Sequence, residues 1–140
     1  MKNKIPAMKN ASNVARGNHV EKVLAEMLRA DGFIVDKRPR VKYQSLDFFG
    51  LFDLVAITPN GDQLWYIQAK RNSIREPLKT RQKILGLHMP DCCHKWIVIW
   101  RDKTSDWVVE HLVEENGHWY SLKSRFETEN LIYEMIEKTH

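Results

Sequence analysis

The segment from Phe52 to Lys70, FDLVAITPNGDQLWYIQAK, limits what this chain can fold into more than any other stretch. Two runs rich in β-branched and aromatic residues flank Pro59-Asn60-Gly61-Asp62, the pattern of a β-hairpin. Polar groups sit at its open end: Asp53 begins the first run, and Gln68 and Lys70 finish the second. Residues two apart on a strand share a face, so Gln68 and Lys70 point together and Ala69 points away. A loop of Asn60-Gly61, or of residues 59–62, sets Asp53 directly across from Gln68 on that face. Pro59 lacks the N–H that the shorter loop would need, which leaves the longer one. A three-residue loop would shift the parity and separate the two groups, so the shared site depends on loop length or on a bulge that corrects it.

The rest of the chain surrounds this hairpin. Ser12 or Asn13 can cap a helix to about Ala30, whose Val20, Val23, Leu24, Met27 and Leu28 recur at helical spacing. Gly32 suits the left-handed position after it. Phe33 to Val35 reads as a short strand, and Lys37 to Phe49 as a basic, irregular connection. Ser73 to about Leu87 reads as a helix with Pro77 in its first turn. HKWIVIW, from His94 to Trp100, is a strand, and the runs Trp107–Val113 and His118–Leu122 flank an Asn116-Gly117 hairpin turn. Thr128 is placed to cap a last helix through about Lys138. Helices alternating with strands in this order give an α/β fold with a central mixed sheet.

Composition narrows the class. A chain of 140 residues is expected to form one domain, residues 12–140, with residues 1–11 as a flexible basic arm. The basic N-terminus has no apolar run behind it, so it is not read as a secretory signal. No run approaches the roughly 18 apolar residues of a membrane span. Adjacent Cys92 and Cys93 offer no disulfide framework, which suits a reducing, cytoplasmic setting. A net charge of +4 permits a polyanionic partner.

The hairpin's polar end carries the chemistry. Asp53 offers a carboxylate, Gln68 an amide oxygen and Lys70 an ammonium. Hard cations such as Mg²⁺ take oxygen ligands, and a lysine beside one can orient water and stabilise charge on a phosphate. One carboxylate is thin for a dication. Glu21, at the border of the first helix's apolar stripe and one turn after Gly17, is the candidate second.

ARGNHVEKVLAEMLRADGFIV, followed by FDLVAI and YIQAK, resembles the PD-(D/E)XK nuclease superfamily, and is most similar to archaeal-type Holliday junction resolvases. The likeness covers roughly the first half of the chain. It implies a restriction-endonuclease-like core, with Glu21 and Asp53 as metal-binding acids, Gln68 in the place of the acid of acid-x-lysine, and Lys70 as the lysine. It further implies that the Ala69 carbonyl joins Glu21, Asp53 and Gln68 around Mg²⁺, with Mn²⁺ able to substitute. Three departures stand out. Neutral Gln68 resembles the Mrr-type branch, where Gln-x-Lys serves. The segment between Gly32 and Asp53 is longer than usual and contains Asp47, which competes with Asp53 for the ligand role. The second half shows no alignable motif.

Basic residues flank this site in sequence: Arg16 on the first helix, Lys37, Arg38, Arg40 and Lys42 before it, and Arg71, Arg75, Lys79, Arg81 and Lys83 after it. They are expected to contact DNA phosphates. No base-reading module is recognisable, so recognition should rest on DNA shape and backbone. HMPDCCH fits no standard zinc spacing, and the cysteines read as small residues opening a strand. Trp96, Trp100, Trp107 and Trp119 read as core or dimer interface rather than base-stacking platforms. The expectation is a Mg²⁺-dependent endodeoxyribonuclease acting on branched DNA as a homodimer, since two strands need two sites. A Mrr-like or general DNA nuclease is the nearest alternative, and a catalytically inactive DNA-binding module, favoured by neutral Gln68, is another.

Overall fold

The apolar spacing of the first helix is realised as burial. A computed structural model describes residues 13–38, 40–41, 44–45 and 47–139, with side chains over 19–38 and 47–139. Helix α1 (Asn13–Ala30) sends Val20, Val23, Leu24, Met27 and Leu28 into the main core. It stops at Gly32, whose φ of +93° is open to glycine, and Phe33 N–H closes back on Leu28 O at 3.1 Å. The arm assigned to residues 1–11 lies outside the described residues.

Strand β1 (Ile34–Lys37) follows. The connection expected to be irregular holds two short strands, β2 (Arg40–Val41) and β3 (Gln44–Ser45), which pair antiparallel apart from the main sheet. Two residues are too few for a strand periodicity to register in the sequence. Next come β4 (Leu54–Ile57), β5 (Leu64–Arg71), α2 (Pro77–Leu85), β6 (Cys93–Arg101), β7 (Asp106–Glu115), β8 (His118–Phe126) and α3 (Leu131–Lys138). The main sheet has six strands in the order β1-β4-β5-β6-β7-β8. Only β5 and β6 run parallel, joined by the crossover through α2; the other neighbours are antiparallel. The protein is therefore α/β, with a mixed sheet flanked by helices. Among the described residues no helix is long and apolar enough to cross a membrane.

The sheet is apolar on both faces. One face packs Leu54, Ala56, Trp65, Ile67, Trp96, Val98 and Trp107 under α1 and α3. The other packs Ile97, Ile99, Val108 and Leu112 under Ile84 of α2. Trp96, Trp100 and Trp107 are thus core residues, while Lys95 Nζ lies 4.7 Å from the centre of the Trp119 ring. Two starting points differ from expectation. Helix α2 begins at Pro77 rather than Ser73, because proline fixes the first-turn φ and needs no N–H partner there. Thr128 does not cap α3: a short 3₁₀ turn (Thr128–Asn130) intervenes, and the Thr128 hydroxyl accepts the Trp107 indole N–H at 3.1 Å.

A buried histidine, His111, paired with half-buried His94, makes the core sensitive to acid. His94 Nδ1 and His111 Nε2 lie 3.1 Å apart, and the His111 ring stacks on Trp96. A shared hydrogen bond requires one of the two nitrogens to be unprotonated. Burial, then the neighbouring charges of His94 and Lys138, push His111 down to about 3, and burial also lowers His94. A base with a depressed folded value loses stability as pH falls. The loss should begin near His111's ordinary value of 6.5 and continue toward about 3, at up to about 1.4 kcal/mol per pH unit. Urea unfolding across this range should show that slope, and H111Q should flatten it; an equally steep slope in H111Q would assign the acid sensitivity elsewhere.

Candidate active site

The hairpin register matches the four-residue loop. Leu54 pairs with Ile67, Val55 with Tyr66, Ala56 with Trp65 and Ile57 with Leu64, and Thr58 N–H bonds Gln63 O at 3.1 Å just before residues 59–62. One residue earlier the ladder changes. Asp53 donates its N–H to Ile67 O at 2.9 Å, the carbonyl of the residue that faces Leu54. Its side chain then takes over a backbone role, Oδ2 accepting Ala69 N–H at 2.8 Å. Two residues against one is the arrangement of a β-bulge. The expected pairing of Asp53 straight across from Gln68 is therefore replaced by a bond to Ala69. On the other side Asp53 O accepts Arg38 N–H at 2.8 Å, so its backbone is tied to the chain on both flanks.

The tight turn before β4 adds a second carboxylate. Phe48 and Phe52 exchange backbone bonds of 2.8 and 3.0 Å around Phe49-Gly50-Leu51, with positive φ at Phe49 (55°) and Gly50 (70°). Asp47 and Asp53 stand just outside that bridge, facing each other across the turn. Rivals for one ligand role in the sequence, Asp47 and Asp53 both reach Arg38 Nη1 in the fold. The overlooked signal was the symmetry of Asp47-Phe48-x-Gly50-x-Phe52-Asp53 about its glycine.

Both carboxylates, and Glu21, meet Arg38. Arg38 Nη1 lies 2.6 Å from Asp47 Oδ1 and 2.9 Å from Asp53 Oδ1, and Nη2 lies 2.7 Å from Glu21 Oε1. Glu21 and Asp53 are deeply buried, whereas the Asp47 side chain is 28% exposed, so the cluster opens to solvent on the Asp47 side. Burial pushes the Asp53 carboxyl above the usual range, opposed by the charges of Lys70 and Arg38 and by the Ala69 N–H. Burial works against the Arg38 charge, but the Asp47 hydrogen bond and the charges of Asp53 and Glu21 together raise its value. Gln68 is buried with Oε1 lacking a hydrogen-bond partner, and Lys70 is half-buried at the end of β5. Lys70 is close enough for its charge to act on Asp53.

The carboxylate oxygens of Glu21, Asp47 and Asp53 suit a hard cation such as Mg²⁺, and the Gln68 amide oxygen, next in the chain to Ala69, is buried and in want of a partner. Among the described residues, however, no three acidic, histidine or cysteine side chains gather at one metal-sized point. The planar Arg38 fork spreads them instead.

The basic candidates divide. Arg38 is turned inward. Arg71 bonds Asp102 at 2.7 Å, and Asp102 also receives the Asn72 amide and the Trp100 indole N–H. Arg81 forms a bidentate pair with Glu110 at 2.7 and 2.8 Å. Lys37, Arg75, Lys79 and Lys83 are exposed. The side chains of Arg16, Arg40 and Lys42 lie outside the described residues. The basic residues on and before α2 are thus of two kinds, exposed Arg75, Lys79 and Lys83 and paired Arg81. If this face meets DNA, neutralising Arg75, Lys79 and Lys83 should leave the unfolding midpoint unchanged and flatten the salt dependence of binding by about one unit of slope per lost contact. Arg81→Ala should instead cost about 1–3 kcal/mol of stability, because buried Glu110 is left with only the Ser121 hydroxyl bond and the charge of Lys123. An unchanged salt slope in the triple variant would make this face merely solvated.

No protein-family model matches the chain, and no curated protein matches it.

Proposed function

We propose that the protein is a Mg²⁺-dependent endodeoxyribonuclease with a restriction-endonuclease-like core, acting on branched DNA as a homodimer. What supports the reading is the meeting of Glu21, Asp47 and Asp53 around one half-buried cation, Arg38, with the charge of Lys70 from the end of β5 also acting on Asp53. Acids from a helix, a turn and a strand start are brought together there despite their mutual repulsion, an arrangement that is costly unless a cation belongs among them.

Glu21, Asp53 and Gln68, with the Ala69 carbonyl, would hold the metal, and Asp47 would be a further ligand at the open side. When bound, the metal supplies Lewis-acid polarisation of the phosphate and a more acidic water. The chain's own groups do the rest. Bonds to both neighbouring segments hold the Asp53 backbone and its Oδ2 in place. Lys70 orients the attacking water and steadies the negative charge that grows on the phosphate oxygens. Lys37, Arg75, Lys79 and Lys83 supply exposed positive charge for the DNA backbone. A dimer would present one such site to each of two strands.

A second reading, an inactive DNA-binding module, has its own support: Gln68 is neutral and Arg38 already pairs in charge with the acids. Supercoiled plasmid and a synthetic four-way junction, each incubated with Mg²⁺ and with EDTA, separate the possibilities. Junction cleavage in Mg²⁺ alone supports the proposal. Cleavage of both substrates alike favours a general nuclease, and binding without cleavage favours the inactive module.

A further inference from the structure

Resting on that nuclease reading, we infer that Arg38 is an internal stand-in for the metal: its guanidinium holds the acids while no divalent ion is bound, and must leave for one to enter. The two cations need the same oxygens. Mg²⁺ requires its ligands at about 2.0–2.1 Å in a tight octahedron, whereas the Arg38 nitrogens occupy the directions of Glu21 Oε1, Asp47 Oδ1 and Asp53 Oδ1 at 2.7, 2.6 and 2.9 Å. A guanidinium is flat and wide, so the acids it grips cannot also close on one small ion. Occupancy by one cation therefore excludes the other.

Arg38 is held in a way that permits release. Its backbone is fixed by the 2.8 Å bond to Asp53 O, so the side chain can swing without moving β1. Its Nε is buried without a hydrogen-bond partner, so the inward position is incompletely satisfied. The cluster opens to solvent past Asp47, the most exposed of the three acids. The freed guanidinium, next to Lys37 at the end of β1, becomes available to a DNA phosphate. Metal entry and DNA binding then favour each other, because each draws on the same open state of Arg38. Free protein should bind metal weakly, and protein with DNA should bind it well.

The test is calorimetric titration of Mn²⁺ into the full chain without DNA, for the parent, Arg38→Gln and Arg38→Lys, with thermal unfolding in EDTA and in Mn²⁺. Arg38→Gln should bind Mn²⁺ at least about tenfold more tightly than the parent, since the competing closed state is gone. It should melt lower than the parent in EDTA, where the acids repel unopposed, and gain more from Mn²⁺. Arg38→Lys, which keeps one charge without the fork, should fall between and serves in its place if Arg38→Gln does not fold. Mn²⁺ affinity no tighter than the parent's in the folded variants overturns the inference, even if the parent cleaves DNA. Tighter Mn²⁺ binding by Arg38→Gln in a protein that cleaves nothing supports it and overturns the nuclease reading instead.

Discussion

Asp53→Asn should abolish DNA cleavage, by on the order of 10³-fold or more, while DNA affinity stays the same or rises. The two halves of this expectation have separate causes. The carboxylate is fixed by the backbone bond to Ile67 O and by the Ala69 N–H bond to Oδ2, so it is presented rather than mobile. Asparagine keeps an oxygen for Ala69 but loses the charge that a hydrated divalent ion requires. Losing that charge also removes repulsion from DNA phosphates. Stability should change little, within about 1 kcal/mol, because two effects oppose. The buried carboxyl's value is raised by desolvation, so ionised Asp53 disfavours the fold at neutral pH; the contribution of the neutral form is present below the ordinary aspartate value and lost as pH rises through the raised one. Against this, asparagine gives up attraction to Arg38. Cleavage rate, equilibrium binding and urea unfolding on one preparation distinguish lost chemistry from lost fold. Full activity in Asp53→Asn would shift the metal role to Asp47, which reaches the same guanidinium nitrogen.

Much of the hairpin was legible because its determinants are local. The two- and four-residue loops both imply the pairing of Leu54 with Ile67 that the sheet shows, and Pro59 argued for the longer one, but a three-residue loop of opposite parity stayed open in the sequence. The bulge at Asp53 was not legible, since it depends on a side-chain oxygen replacing a backbone acceptor, a choice that leaves no periodic trace. Basic residues show the same boundary. In Asp36-Lys37-Arg38-Pro39-Arg40 nothing local tells an outward lysine from an inward arginine. Arg71 and Arg81 find Asp102 and Glu110 at sequence separations of 31 and 29, across strands whose neighbours only the folded sheet determines. A run of positive charge therefore overstated the surface available to DNA. Glu21 was visible as a polar residue at the edge of an apolar stripe; its burial was not, because that follows from Arg38 arriving from β1.

Gln68 decides whether this site is active or only shaped like one. Its Oε1 is buried without a partner, a state that normally costs about 1–3 kcal/mol. Gln68→Leu should therefore leave stability equal or improved, yet remove an uncharged metal ligand and lower the cleavage rate by about 10²-fold. Gln68→Glu supplies a charged oxygen instead. It should tighten Mg²⁺ binding in free protein and keep part of the activity, although the added carboxylate also attracts Arg38 and Lys70. Lys70→Ala should cost as much rate as Gln68→Leu by another route, the loss of water positioning and phosphate charge stabilisation. The two routes separate in a titration of rate against Mg²⁺. Gln68→Leu should need more metal to reach its plateau, because it weakens metal binding. Lys70→Ala should reach a low plateau at the parent's Mg²⁺ concentration or below, since removing a cation beside Asp53 does not weaken attraction for another. If Gln68→Leu follows the parent's curve throughout, Gln68 stands outside the reacting centre, and its unsatisfied oxygen belongs to the fold rather than to catalysis.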